Sequence, residues 1–332
     1  MTIRFATPHP LLRAAIGVAI SAAFVMATIS SVELHLMSRA WAAVNIALLM
    51  VASIVCIAEL SVRAVRWRLL LGPLAEVPLT TSLGYLAIGH LANAILPARL
   101  GDIARALFAG VRLRVSRASV FGTIAVERLA DAGLLGLAIS VGVLIGFSEL
   151  APTVVTLALV GGLAAIAAVV MLAILRRRSV AATRLGHLLQ HHGQKFVAGA
   201  SALRRPRALI AVGALTVLSF GLAVTILSLV AEAVGLSIPV WQAALIIAAV
   251  TLSTAVPAGP ASIGTYEFAG LTVMTAMGFP AEQSLLCVAL VHATVVVPPS
   301  LIGLLAMWWL GVRPHAAQLA PGLHSPATEP PV

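Results

Sequence analysis

Of 332 residues, 61% are hydrophobic and only 10% are charged, and the mean hydropathy is +1.07. A soluble domain carries about 25% charged residues, so the composition excludes a water-soluble enzyme or binding module and indicates an integral membrane protein. The net charge of +10 does not restore a nucleic-acid reading, because 20 arginines and one lysine (Lys195) are scattered between apolar spans without a soluble domain to carry a basic face.

A membrane-crossing helix needs about 20 apolar residues. The first candidate, 11–33, follows a short cytoplasmic N-terminus at 1–10 with Arg4, and Arg13 opens the span itself. It has the outline of a signal peptide, but the apolar stretch runs on to Val32 and a retained first helix is expected. The second candidate, 40–62, ends on Glu59 and Arg63, whose i,i+4 spacing predicts an ion pair at the membrane edge. The following Arg63-Ala64-Val65-Arg66-Trp67-Arg68 reads as a loop of basic and aromatic interfacial anchors.

The next apolar segment, about 79–115, is broken at Asn93-Ala94-Ile95-Leu96-Pro97-Ala98-Arg99-Leu100-Gly101-Asp102. A full span at 120–147 carries Glu127-Arg128-Leu129-Ala130-Asp131 near its start. Spans at 152–175 and 208–231 flank a basic segment, Arg176 to Arg207, which reads as a solvated loop touching anionic lipid. Its His187, His191 and His192 have no metal-ligand spacing. A second broken segment, 239–279, is interrupted by Pro257-Ala258-Gly259-Pro260-Ala261-Ser262-Ile263-Gly264-Thr265-Tyr266-Glu267. The last span, 283–311, contains His292 and Pro298-Pro299, and the Pro-, His- and Ala-rich tail at 312–332 is expected to be disordered.

The reading is thus an all-α polytopic protein with one transmembrane domain, 11–311, of about six full spans and two broken hairpins, re-entrant or fully spanning. Loops rich in Lys and Arg stay cytoplasmic. If each broken segment enters and leaves on one side, 19 of the 21 basic residues face the cytoplasm, with Arg39 outside and Arg128 within a span. Both termini are then cytoplasmic, in the inner (plasma) membrane. The order two spans, hairpin, span occurs twice, in about 11–147 and 152–311. Each unit crosses an odd number of times, so the second is inverted relative to the first, a known plan for transporters with a midplane site.

Chemistry is sought at the breaks, because unpaired backbone in hydrocarbon survives only against protein or a wet cavity. On the first hairpin lie His90, Asn93, Pro97, Arg99, Asp102 and Arg105, with Asp102 and Arg105 spaced to pair at i+3. Ala132 to Phe147 supplies roughly 24 Å of helix, short of the ~30 Å hydrocarbon core, so Glu127, Arg128 and Asp131 dip into the bilayer. Arg99, Asp102, Arg105, Glu127, Arg128 and Asp131 sum to zero charge. They can simply satisfy one another and pin helices, but buried charges at ~2.5–3.5 kcal/mol each usually mark pathways or counter-ions. Arginine binds phosphate bidentately. Glu267 has no cation in its own segment, and is either protonated or paired with Arg99, Arg105 or Arg128 across the repeat interface. Gly259 and Gly264 suit tight backbone, where exposed helix N-terminal amides would receive an anionic group. The lone His292 reads first as a helix-to-helix hydrogen bond. Cys56 and Cys287 stand singly, so no disulfide or thiolate metal site is expected. No nucleotide, zinc or nucleophile-elbow motif is present.

Several of these segments together resemble the lysylphosphatidylglycerol synthase transmembrane region, a flippase-like membrane family. They are Arg66-Trp67-Arg68-Leu69-Leu70-Leu71, Asn93 to Asp102, Arg105, Glu127-Arg128 with Asp131, and Pro257 to Glu267. The resemblance extends over roughly 11–311. It implies handling of a lipid, a phospholipid or a polyprenyl-linked one, between leaflets. Some members carry Arg near the position of His292. Aminoacylating members add a large soluble transferase domain, whereas this sequence ends about 20 residues after its last helix, so lysyl transfer is not expected.

The expected function is therefore a lipid flippase or transporter without enzyme activity, cofactor, metal or nucleic-acid partner. Asn93, Arg99, Arg105, Arg128, Gly259 and Gly264 are the expected substrate-binding residues. Asp102, Glu127, Asp131 and Glu267 balance charge or titrate. The alternative is a non-transporting subunit that organises a cell-envelope biosynthetic enzyme. An intramembrane transferase using Glu127, Asp131 or Glu267 as base ranks last, for want of an activated nucleophile.

Overall fold

The computed structural model describes residues 10–33, 41–96, 100–146, 196, 198–256 and 258–312. Outside these fall Arg99, Pro97, Pro257, Arg39, the expected span at 152–175, the histidines of the basic loop, most of the N-terminus and the tail from 313. The described residues form helices and turns without strands. In chain order the helices are α1 (Pro10–Ile29), α2 (Ile46–Leu71), α3 (Leu79–Ile95), α4 (Gly101–Arg112), α5 (Arg117–Gly146), α6 (Pro206–Ala233), α7 (Val240–Ser253), α8 (Thr265–Ala276) and α9 (Ala281–Trp309). Short 3₁₀ turns occupy Ser201–Arg204 and Pro260–Ser262.

Local chemistry sets these boundaries. Asn45 caps α2 by accepting from the amides of Ala47 and Leu48 at 3.0 and 3.4 Å. Pro78, Pro239 and Pro280 precede α3, α7 and α9, and Pro206 opens α6, positions where a missing N–H costs nothing. The helices α2, α6 and α9, of 26, 28 and 29 residues, are long and apolar enough to cross a membrane. By contrast α4, α7 and α8 have 12, 14 and 12 residues. At 1.5 Å per residue they reach only about 18–21 Å, short of the ~30 Å core. Apolar side chains such as Ile54, Ile210, Leu304 and Trp308 point outward, as lipid-facing residues do.

Helix α2 runs antiparallel along α6. The Asn45 amide donates to the Ala233 carbonyl at 2.9 Å at one end, and Glu59 meets Ser219 farther along. Around this pair α3 packs on α2, α4 and α9, while α7 packs on α6, α8 and α5. Helix α4 leans on α5, α8 on α9, and α1 lies on α8 with Phe24 and Phe268 5.0 Å apart. One core cluster joins α2, α6, α7, α8 and α9 through residues such as Leu227, Ile246, Met274 and Cys287. Another gathers Trp67, Tyr85, Ile88, Ile124 and Ala306. Cys56 and Cys287 are free and buried.

The two expected hairpins are present as α3–α4 and α7–α8, and α5, α6 and α9 match their expected spans within three residues. The second span needs correction. It continues nine residues beyond 62, to Leu71, so Arg63-Ala64-Val65-Arg66-Trp67-Arg68 is helix and not a loop of interfacial anchors. Trp67 is fully buried and Arg66 is 1% exposed. The reason is partnership: α5 and α6 supply acceptors for Arg66, which therefore has no need to reach an interface.

Candidate functional site

The two backbone breaks open onto a single cavity of about 230 Å³ that all of α2 to α9 help to line. Its first end is polar, with Glu59 and Arg63 of α2, His90 and Asn93 of α3, Asp102 and Arg105 of α4, and Arg128 of α5. Its second end is formed by Gly259, Ala261 and Ser262 of the turn, Tyr266 of α8 and His292 of α9. Apolar residues, among them Leu86, Ile226, Ile247 and Val295, complete the lining. The Pro260–Ser262 turn packs directly on α3, so the tip of the second hairpin meets a helix of the first. Pro298 and Pro299 remove the i+4 donors of the Thr294 and Val295 carbonyls, and Val295 and Pro299 are themselves cavity residues.

Behind the first end, α5 works as a charged hub. Arg128 donates from Nε and Nη2 to Asp102 at 3.1 and 3.3 Å, a bidentate pair from α5 to α4. Arg66 donates to both oxygens of Asp131 at 2.6 and 3.2 Å, and to Thr216 Oγ1 at 2.9 Å, joining α2, α5 and α6. Arg105 pairs with Glu127, both 1% exposed, and its guanidinium lies 4.6 Å from the Trp67 ring centroid. Trp67 in turn donates to Thr123 Oγ1 at 3.0 Å. Glu59 accepts from Ser219 Oγ at 2.6 Å and lies 3.6 Å from Arg63.

These eight charged residues, four guanidiniums and four carboxylates, are neutral together. Their exposures differ in a way that assigns roles. Arg66, Arg105 and Glu127 are sealed, whereas Arg128 is 42% and Asp102 30% exposed. Arg128 also spends only two of its nitrogens on Asp102. Its Nη1 makes no hydrogen bond among the described residues, with Asp131 no nearer than 3.8 Å.

Several expected roles change. The expected Glu59–Arg63 pair exists, and it also lines the cavity. Asp102 and Arg105 do pair, at 4.0 Å, but Arg128 and Glu127 give each a closer partner. Asn93 faces the cavity, yet its Oδ1 accepts from the Gly101 amide at 2.7 Å and clamps the first hairpin shut. Arg105 faces it too, while Glu127 and Asp131 stand behind it.

The second tip departs further. Gly264 does not line the cavity, and its amide donates at 2.7 Å to Glu267 Oε2, capping α8 from within. The Gly259 amide donates to Ser21 Oγ of α1 at 2.8 Å. Neither amide is therefore free to receive an anionic group. Glu267 pairs with none of Arg105, Arg128 or the other described arginines. Its partner is His292, whose Nδ1 lies 2.5 Å from Oε1. His292 Nε2 reaches the Ala261 carbonyl at 2.9 Å, and its ring stacks on Tyr266 with centroids 4.2 Å apart. Ala261 and Ser262 hold φ of 54° and 61°, left-handed values that cost a non-glycine residue roughly 1–2 kcal/mol each. At Gly264, φ is 90° and an added Cβ would lie 2.6 Å from the Ser21 carbonyl oxygen, so only glycine fits.

Arg66 is the main site residue that sequence reasoning set aside as an anchor. Its three-residue spacing from Arg63 puts both on one helical face, the signal that they share a neighbour. Among the described residues no group of three or more His, Cys, Asp or Glu side chains is placed to hold a metal ion.

A comparison with curated proteins gave no match. A family model described as the lysylphosphatidylglycerol synthase TM region matches residues 14–303, nearly the whole chain. The chain belongs to this family, and is accordingly a lipid-related membrane protein.

Proposed function

We propose that this protein is a flippase-type lipid transporter of the inner membrane, in which a phospholipid or polyprenyl-linked headgroup enters the cavity between the hairpin tips while its tails stay in the bilayer. The observation that carries this reading is the meeting of both helix breaks at one polar cavity inside an apolar chain. Irregular backbone at membrane depth is tolerated where it lines such a cavity. Arg128 Nη1 is the first contact for a headgroup phosphate. The other guanidiniums act through the carboxylates that hold them. A cavity of about 230 Å³ suits a headgroup and leaves no room for tails.

An inverted repeat is part of this reading, and the packing of the described helices supports it. Among α2 to α9, exchanging α2 with α6, α3 with α7, α4 with α8 and α5 with α9 turns the list of packed helix pairs into itself. The contact of α3 with α9 becomes that of α7 with α5, for example. The equivalent helices α2 and α6 run antiparallel, as inversion demands.

Translocation of fluorescent lipids in reconstituted vesicles tests the proposal. The intact protein should move at least one lipid class faster than empty liposomes do, and Arg128→Ala should lower that rate about tenfold or more, the loss of one charge-assisted contact of ~1.5–3 kcal/mol. Intact and variant protein both indistinguishable from empty liposomes across lipid classes would sink it. The balance of four arginines by four carboxylates around the cavity favours one other reading, a subunit that organises an envelope-synthesis enzyme. That reading requires stable co-purification with the enzyme and normal lipid sidedness after deletion.

A further inference from the structure

Both ring nitrogens of His292 face oxygen, Nδ1 at 2.5 Å from Glu267 Oε1 and Nε2 at 2.9 Å from the Ala261 carbonyl. A carbonyl oxygen only accepts, so Nε2 carries a proton. The 2.5 Å contact to Glu267 also contains a proton, on Nδ1 or on Oε1, because two lone pairs at that distance repel. The pair is thus neutral as a unit, whichever atom keeps the shared proton. Losing one proton breaks one contact. A bond from Nδ1–H to a charged carboxylate is the stronger kind, so the remaining ring proton goes to Nδ1. Nε2 then presents a lone pair to the Ala261 carbonyl, and that contact is released.

Ala261 is where release has a consequence. It and Ser262 sit at left-handed φ, in the turn that packs on α3 and lines the cavity. Glu267 holds the other side of the same turn through the Gly264 amide. We propose that the His292–Glu267 pair is a proton site that latches the second hairpin tip. With the proton bound, the turn stays in its strained form against α3. When the proton leaves, the turn relaxes and the cavity changes shape. Its purpose rests on the lipid-transport reading, where it would tie headgroup passage to proton movement. The latch itself does not depend on that reading.

The surrounding charges do not substitute for it. Tyr266 of α8 covers the His292 ring, and Cys287 lies on α9 itself. The same cavity is lined by His90 of α3, Cys56, Glu59 and Arg63 of α2, Asp102 and Arg105 of α4, and Arg128 of α5. The arginines there are balanced by carboxylates. Helices α6 and α7 contribute Ala223, Ile226, Ile247, Thr251 and Thr254, none of which titrates.

The test uses Ser262→Cys in a chain with Cys56→Ala and Cys287→Ala, in lipid nanodiscs. Maleimide labelling is followed from pH 5 to 9 and divided by the rate for free cysteine at each pH. The corrected rate should rise through a one-proton transition, about tenfold per pH unit on its slope, and His292→Gln or Glu267→Gln should flatten the profile. Histidine ¹⁵N spectra of the unsubstituted chain, assigned with His292→Gln, should show both His292 nitrogens protonated at the low-pH end, or Nε2 protonated with Nδ1 accepting from Glu267. A flat corrected profile in the otherwise intact chain, or a His292 Nε2 without its proton at pH 5, would overturn the proposal. If the latch titrates while no lipid class moves in vesicles, the transport reading falls and the proton site stands.

Discussion

Replacing Arg105 by leucine should destabilise the protein by about 3–5 kcal/mol, the cost of leaving one member of a buried ion pair uncompensated. Glu127, 1% exposed, would then face Arg66 at 3.7 Å as its remaining cation, one already committed to Asp131. The Trp67 ring would lose its guanidinium as well. Glu127→Leu should cost a similar amount. The double replacement Arg105→Leu with Glu127→Leu should recover most of the loss, because a well-packed apolar pair of similar volume is often as stable as a buried ion pair. Unfolding free energies in mixed micelles give this double-mutant cycle directly. If the single variants unfold like the parent, the pair is not sealed as described. If the double variant is worse than either single one, the charges do more than satisfy each other.

The second large effect is expected at Gly101. An added Cβ there would lie 2.0 Å from the Gly89 carbonyl oxygen and 2.5 Å from Asn93 Oδ1. The first of these is backbone and cannot swing aside. Overpacking of this kind costs roughly 1–3 kcal/mol and sometimes more, and the Asn93 clamp on the Gly101 amide is lost with it. Gly101→Ala should therefore spread the α3–α4 hairpin, lower the thermal midpoint, and expose a cysteine placed at Ala94 to water-soluble maleimide. Gly213→Ala on α6 is the control, since an added Cβ there meets nothing within 4 Å. Equal midpoints for the two variants would contradict the close approach.

Sequence carried much of this architecture. The hairpins were legible because Pro, Gly and charge interrupt runs that lipid would otherwise force to continue. The spans at 120–147, 208–231 and 283–311 were legible as long apolar runs between polar segments. The ends of α2 were not, since Arg63, Arg66 and Trp67 have the composition of an interface and only their partners on α5 and α6 reveal a buried face. A neutral charged cluster was read, without Glu59, Arg63 and Arg66, and its closest pairings were missed. Spacing within one helix suggested Asp102 with Arg105, whereas contacts between helices give each of them a closer partner. Glu267 had the opposite fault. Its partner is a histidine 25 residues away on the next helix, and no local spacing points there.

The cavity is the centre of this account, and plugging it is the most direct trial. Thr251, a cavity residue on α7, is changed to cysteine in a chain with Cys56→Ala and Cys287→Ala, and the protein is reconstituted in vesicles with fluorescent lipid. Lipid movement between leaflets is measured before and after attachment of a bulky maleimide at that single thiol. The account predicts movement above the empty-liposome rate before attachment and a return to that rate afterwards. Undiminished movement through fully labelled protein would contradict it, because the lipid would then be crossing somewhere other than between the two hairpin tips.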